Sequence, residues 1–420
     1  MSAVTVTPGY QQRIADSAID KALSAVGAVV IEGPRACGKT WTARQFARSE
    51  VLFDGSDEQR MAFAVDPART LDGDVPRLLD EWHLVPGVWN AMRRACDDRR
   101  DKGIFLLTGS AVPPDDITRH SGAGRVRRVR MRTMSLAESG LSTCEVPLSS
   151  LLACRTVSAM KPDVSFEEIV EIAAVGGWPG LIELPPAAAQ ENLVAYLDEI
   201  ARTDVSLVDR VHRDPRGVST LTRSLARNVS TEVSFSTLAR DSDLDRTTVK
   251  AYLEALERLF VAERVPAWQP RLRSRVPLRQ SPKRLFVDPS LAAAALEVGP
   301  DRLRSELSYF GCIFENLVMR DLKVYAEANG CGLHHYRDKT GLEADAIIQR
   351  RSDGAWIAVE VKLGGADAVD AAAATLKRVE SAVDASVIGP AAKLLVITAT
   401  GYGYERPDGV AVAPVTALAP

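Results

Sequence analysis

Two short stretches of this chain carry residue types whose spacing fits phosphate chemistry. Gly33 to Thr40 reads GPRACGKT and fills every fixed position of the pattern G-x-x-x-x-G-K-[ST]. An apolar run, Ala28 to Glu32, precedes it and a helix expected over Lys39 to Ala47 follows, the context in which the pattern cradles phosphate. Along Gly33, Pro34, Arg35, Ala36, Cys37 and Gly38 the small residues let backbone N–H groups approach the phosphates, and the helix start adds partial positive charge. Lys39 is expected to reach the β- and γ-phosphates of ATP and the Thr40 hydroxyl to ligate Mg²⁺, with Trp41 the last residue of the nucleotide-contacting set. Further along, VPRLLDEWH ends a strand in Asp80 and Glu81. Asp80 is placed to hold Mg²⁺ through water, and Glu81 to orient or deprotonate the attacking water. GIFLLTGS then offers the hydroxyls of Thr108 and Ser110 to the γ-phosphate. Charge developing in phosphoryl transfer calls for an arginine. Arg125 in SGAGRVRRVR is the first candidate and Arg119 the second, in cis or in trans.

The second stretch is GLEADAIIQRRSDGAWIAVEVKLG, Gly341 to Gly364. It reads as a β-hairpin in which period-two alternation puts Glu343 and Asp345 on one face of the first strand, opposite Ala344, Ala346 and Ile348. Glu360 and Lys362 share a face of the second. Asp345 and Glu360 could supply oxygen ligands to Mg²⁺ and Lys362 a cation beside an attacking water, the parts needed for phosphodiester hydrolysis. Glu315 lies on the apolar stripe of a helix with Val318, Met319 and Leu322, so it should turn inward and want a partner. The alternative is a plain Glu/Lys ion pair on a surface hairpin.

The elements that must carry these residues can be read from periodicity. Up to about residue 135, apolar runs alternate with amphipathic segments, as in an α/β domain with a mostly parallel sheet. Strands are expected at Ala28 to Glu32, Val51 to Asp54, Arg77 to Leu79, Ile104 to Thr108 and Val126 to Met131. Longer helices follow over 136–230, with GGWPG as a turn between two of them. Over 231–299 a short helix near Phe235 to Arg240, a turn at Asp243 to Asp245 and a helix from Arg246 to Leu259 form a helix-turn-helix pattern with a basic wing after it. Over 300–420 the pattern is helix (Tyr309 to Ala328), three strands (Leu333 to Arg337, Glu343 to Gln349, Trp356 to Lys362), helix (Ala366 to Val383) and strand (Lys393 to Thr398).

Composition sets the outer bounds. With 46% apolar and 25% charged residues the chain is ordinary for a globular protein. Without an apolar leader or a run of eighteen apolar residues, a cytoplasmic protein with no membrane contact is expected. The six cysteines form no CxxC pair, which argues against structural zinc and a disulfide framework. Net charge is only −3, yet Arg119 to Arg132 and Arg271 to Arg284 each hold six cations and no acid. Such runs raise nucleic acid, specifically DNA, as a partner.

GPRACGKT, LLDEWH, LLTGS, Gly124-Arg125, GGWPG, TTVKAYLEALERLF, LFVDPSLA, FENLV and EADAIIQ with IAVEVK together carry a likeness. Over nearly its full length the chain resembles a widespread group of prokaryotic ATPases that join an AAA-type P-loop domain to a C-terminal domain of unknown function. The last two motifs look like a PD-(D/E)XK nuclease core, whose functional positions fall on Glu315, Asp345, Glu360 and Lys362. The implied fold is a P-loop AAA-type ATPase core, a helical lid, a winged helix-turn-helix and a restriction-endonuclease-like α/β domain. Ala346 stands where that group often has phenylalanine, which removes packing bulk but no catalytic group.

Three functions stay open on these grounds. One is an ATPase that remodels DNA through the basic wing, with a metal-dependent nuclease domain. Another is an ATP-dependent regulator that contacts a protein through a silent nuclease fold, as in toxin–antitoxin modules. The third is a DNA-binding protein whose ATPase controls assembly. An arginine acting in trans would imply a homo-oligomer.

Overall fold

The computed structural model describes residues 9–111, 121–208, 211–270 and 281–420. The chain divides into two compact units. The first runs to Thr133 and also takes Thr203–His212 and Ala255–Phe260; the second holds Met134–Arg202, Arg213–Glu254 and Val261–Pro420. Among the described residues no helix is long and apolar enough to cross a membrane.

The first unit is built on five parallel strands, β1 (Ala28–Glu32), β2 (Ser49–Leu52), β3 (Arg77–Asp80), β4 (Phe105–Gly109) and β5 (Val126–Arg130), in the order β2-β3-β4-β1-β5. The sequence AVVIE of β1 is buried throughout, as a central parallel strand covered on both faces must be. Val30 joins Leu79, Phe105 and Trp89 in one apolar cluster, whereas Val29 and Ile31 join Ile19, Leu78 and Leu106 in another. The strands therefore end at one edge, where β1 passes into the glycine-rich loop and β3 into Asp80 and Glu81.

In the second unit a two-residue strand β6 (Val146–Pro147) precedes a set of helices. Helices Phe235–Ser242 and Arg246–Arg258 flank the turn at Asp243 to Asp245, and two antiparallel strands follow, β7 (Ala262–Val265) and β8 (Lys283–Phe286). Then come the helix Leu307–Ala328, β9 (Cys331–Arg337), β10 (Glu343–Arg350), β11 (Trp356–Lys362), the helix Ala366–Ala382, β12 (Lys393–Thr398), β13 (Tyr404–Glu405), β14 (Ala411–Pro414) and β15 (Leu418–Ala419). Six of these form a mixed sheet in the order β13-β14-β12-β11-β10-β9. The helix Ala366–Ala382 joins the parallel neighbours β11 and β12 and lays Val369, Ala373 and Leu376 into the sheet's apolar cluster.

Regular alternation fails along β10. Its ladder with β9 shifts register between Ala344 and Ile347, and these two residues enter the same apolar cluster although three positions separate them. A bulge accounts for this, and it re-aims the side chain of Asp345 within it. The expected sharing of one face by Ala344, Ala346 and Ile348 along one unbroken pleat therefore does not describe this strand, since Ile347 joins Ala344 in the cluster.

Residues of GGWPG, of LFVDPSLA and of the helix Leu307–Ala328 converge on one buried network. Asp288, entirely buried after β8, accepts from Gly177 N at 3.0 Å, Ser290 N at 3.0 Å and Ser290 Oγ at 2.6 Å, and Arg320 Nη1 at 3.1 Å. Trp178 Nε1 donates to Ser290 Oγ at 3.1 Å. Close approach here demands glycine: a Cβ on Gly177 would lie 2.0 Å from the Met134 carbonyl oxygen, a backbone atom that has no rotamer to escape through. Gly177→Ala is expected to destabilise this unit by about 1–3 kcal/mol, read as a lower urea midpoint; an unchanged midpoint would contradict the packing described.

Candidate functional site

At the edge where β1 ends, Ala36 and Gly38 adopt positive φ, 60° and 98°. Successive N–H groups so turned form a concave, anion-binding nest. Gly33 has no room for a side chain, since a Cβ would sit 2.2 Å from the Met131 carbonyl oxygen. Arg13 braces the loop from behind, donating from Nη1 to Cys37 O and from Nη2 to Arg132 O, both at 2.8 Å. Arg35 reaches the buried carboxylate of Asp204 at 2.7 Å. Lys39 is buried, and its ammonium donates to the neutral Pro34 carbonyl at 2.7 Å. An ammonium enclosed by a nest and bonded to an uncharged oxygen fits a phosphate group well.

Asp80 closes β3 directly across from the loop. Its Oδ1 accepts from Thr40 Oγ1 at 2.9 Å and, more closely, from Thr108 Oγ1. Burial pushes the Asp80 carboxyl above its ordinary range, while the Thr108 and Thr40 hydroxyls pull the other way. A hydroxyl and a carboxylate at hydrogen-bond distance beside a phosphate loop are groups that could hold Mg²⁺. Glu81 stands next in line with φ 49°. Its Oε1 accepts from Ser110 Oγ at 2.8 Å, and Oε2 lies 3.1 Å from His83 Nδ1. Burial holds His83 below its ordinary pKa against the opposing pull of Glu81, so the ring favours its neutral form at pH 7.

Several expected roles change here. Thr108 is completely buried with its hydroxyl on Asp80, and it also accepts from Glu81 N at 3.3 Å. It links the two members of the acidic pair. Ser110 likewise faces Glu81. Trp41 is 53% exposed on the helix after the loop. Arg125 precedes β5, which pairs with β1 in parallel from Ala28↔Val126, so it sits at the opposite end of the sheet from the loop. Five strand residues separate them, about 16 Å at ~3.3 Å each, and Arg125 Nε is bound to Asp97 Oδ1 at 2.6 Å. A finger role toward its own chain's nucleotide is therefore out of reach. Arg119 lies outside the described residues, as do residues 271–280 of the basic wing. The wing's remaining cations, Lys283 and Arg284, are both buried, and Arg284 stacks 4.8 Å over the Phe235 ring.

The second constellation does gather Glu315, Asp345, Glu360 and Lys362, but with a fifth member that periodicity did not single out. Lys283 Nζ donates to Glu315 Oε1 at 2.6 Å and Asp345 Oδ1 at 3.1 Å. Lys362 Nζ donates to Glu360 Oε2 at 2.7 Å and lies 3.8 Å from Asp345 Oδ2, which accepts Val361 N at 2.9 Å. Three acids thus face two ammonium groups. Burial, reinforced by the charge of Asp345, pushes the Glu315 carboxyl up to about 8 and that of Glu360 up to about 7. Burial would raise Asp345 too, but Lys283 and Lys362 outweigh it and hold Asp345 below its ordinary range.

Sequence reasoning missed Arg13, His83, Asp204 and Lys283. Lys283 left a trace as a cation opening the otherwise strand-like KRLF, and His83 as the last residue of LLDEWH.

Comparison with known proteins places the first constellation in a class. Residues 26–140 match the AAA domain family, and this part of the chain has the ATP-binding P-loop of an AAA-type ATPase. Residues 166–302 match a domain of unknown function (DUF8612) and residues 310–418 another (DUF4143). The uncharacterized proteins Rv2008c of Mycobacterium tuberculosis and Mb2031c of Mycobacterium bovis are each 26% identical over 352 residues, covering 81% of this chain and 71% of theirs. Among solved structures, the Walker-type ATPase of Pyrococcus abyssi is similar at a TM-score of 0.39 and 13% identity, over 67% of this chain and 94% of that one. The replication initiator DnaA bound to AMPPCP and single-stranded DNA gives 0.29 and 12%, over 60% and 93%.

Proposed function

We propose that this chain hydrolyses ATP and works as a nucleotide-dependent switch. The observation that carries the proposal is the pair of linked clusters Thr40–Asp80–Thr108 and Glu81–Ser110 beside the loop. Lys39 and the loop N–H groups would hold the triphosphate, Thr40 and Asp80 the Mg²⁺, which supplies charge neutralisation when bound. Glu81, held by the Ser110 hydroxyl, is the group placed to take a proton from water.

What favours a switch over a nucleic-acid motor is the burial of the two wing cations among the described residues. Of the wing's six cations the two described are turned inward, onto Glu315 and Asp345 and onto Phe235, so neither can neutralise a strand phosphate. The helix Arg246–Arg258 supports the second reading, DNA remodelling. Arg246, Thr247 and Lys250 are exposed at its start, and Asp245 accepts from Thr247 N at 2.8 Å and Thr248 N at 2.9 Å as an N-cap, which partly spends its charge locally.

One experiment separates the readings: ATP hydrolysis with and without single-stranded, duplex and branched DNA, at low and physiological salt. A rate indifferent to every DNA supports the switch and directs attention to a protein partner. Stimulation by one DNA form, falling steeply with salt, would replace it with the remodelling reading.

A further inference from the structure

The acids Glu315, Asp345 and Glu360 are the residue types that would hold a divalent metal in a nuclease-like site, so the fit of such an ion can be tested against the geometry. Mg²⁺ binds carboxylate oxygens at about 2.0–2.1 Å and keeps near-octahedral surroundings. Here a nitrogen stands 2.6 Å from Glu315 Oε1 and 3.1 Å from Asp345 Oδ1, which is where an ion bridging those two oxygens would have to be. The other carboxylate, Glu360, is engaged by Lys362. Among the described residues no group of three or more His, Cys, Asp or Glu side chains is disposed to hold a metal ion. The metal does not fit this arrangement.

We infer that Lys283 is the cation of this site: its ammonium, carried in on β8, takes the bridging position between Glu315 and Asp345 that a divalent metal would otherwise occupy. Three features support it besides the two distances. The side chain is 11% exposed, so its charge is not a solvated surface charge that happens to lie near two acids. Removing it would leave three enclosed carboxyl groups facing Lys362 alone, an imbalance that only a proton or a cation from solvent can relieve. And the lysine comes from outside the part of the chain that carries the other four groups: β8 falls in the 166–302 match, whereas Glu315, Asp345, Glu360 and Lys362 fall in the 310–418 match. The site is thus completed by a covalently tethered charge, which is always present at stoichiometric occupancy and does not depend on metal supply. This holds whether or not the chain turns over ATP.

The test is Mn²⁺ binding to the nucleotide-free full chain, followed by electron paramagnetic resonance and by calorimetry. Wild type is expected to show no Mn²⁺ binding that Asp345→Asn removes. Lys283→Met, with its fold checked by circular dichroism, is expected to gain about one Mn²⁺ per chain, lost again in Lys283→Met/Asp345→Asn. Wild-type binding that disappears in Asp345→Asn overturns the inference, as does a folded Lys283→Met that gains nothing. If Lys283→Met does not fold, Lys283→Gln, which keeps a hydrogen-bond donor but no charge, is read the same way, and the comparison of wild type with Asp345→Asn decides without any Lys283 variant.

Discussion

Glu81→Gln is expected to lower the rate of ATP hydrolysis by about 10²- to 10⁴-fold, the usual contribution of a positioned base, and to leave nucleotide binding close to wild type. The substitution keeps the size of the side chain and an oxygen for the Ser110 hydroxyl, so the arrangement around it should survive. What it loses is the capacity to take a proton. The hydroxyl of its neighbour Ser110 serves to aim Glu81. Binding should therefore fail in a different variant, Lys39→Ala, which removes the buried ammonium from the loop. The check is a turnover assay alongside titration with a fluorescent ATP analogue. A Glu81→Gln protein that turns over at the wild-type rate would remove the acidic pair from the chemistry.

Arg320→Ala should produce the largest loss of stability. Arg320 is 2% exposed, and it donates from Nε to Asp321 Oδ1 at 2.8 Å and from Nη1 to Asp288 Oδ2 at 3.1 Å. Asp321 Oδ2 in turn accepts from Leu136 N at 3.0 Å. Removing the guanidinium strands two enclosed carboxylates at once. Breaking a buried pair from one side costs about 3–5 kcal/mol, since the remaining charge keeps its desolvation penalty. In calorimetry that corresponds to a fall in the unit's transition temperature on the order of 10 °C. A shift of a degree or less would show that water or a rearranged partner satisfies the two acids.

How far sequence reasoning reaches follows from the range of the forces involved. Ala28–Glu32, Trp356–Lys362 and Lys393–Thr398 form strands with the bounds expected or close to them, because buried strands need continuous apolar runs and each of these has one. The loop Gly33–Thr40 and the acids Asp80 and Glu81 were equally legible, since their spacing and the strand endings before them are local properties. The roles of Thr108 and Ser110 were not. Two hydroxyls at one strand end look alike in sequence, and only the neighbouring strand β3 decides that both address the acidic pair. The bulge at Asp345 escaped because alternation assumes an uninterrupted ladder. Lys283 escaped for a stronger reason: its partners stand 32 and 62 residues away, and nothing in a basic run says which cation turns inward.

The helix Leu307–Ala328 has a consequence for motion. It buries polar side chains along much of its length: Glu315 meets Lys283, Asn316 pairs both ways with the Phe286 backbone at 3.0 and 2.9 Å, Arg320 meets Asp288, and Lys323 meets Glu263. Four successive links thus run from one helix to β7, β8 and the segment just after them. Sliding the helix past those partners would orphan several enclosed charges together, at about 3–5 kcal/mol apiece, more than the few kcal/mol that separate interchanging states of a switch. Any nucleotide-driven rearrangement must then carry this helix and the two-stranded ribbon as one rigid block, and flexing is left to segments that hold no such links.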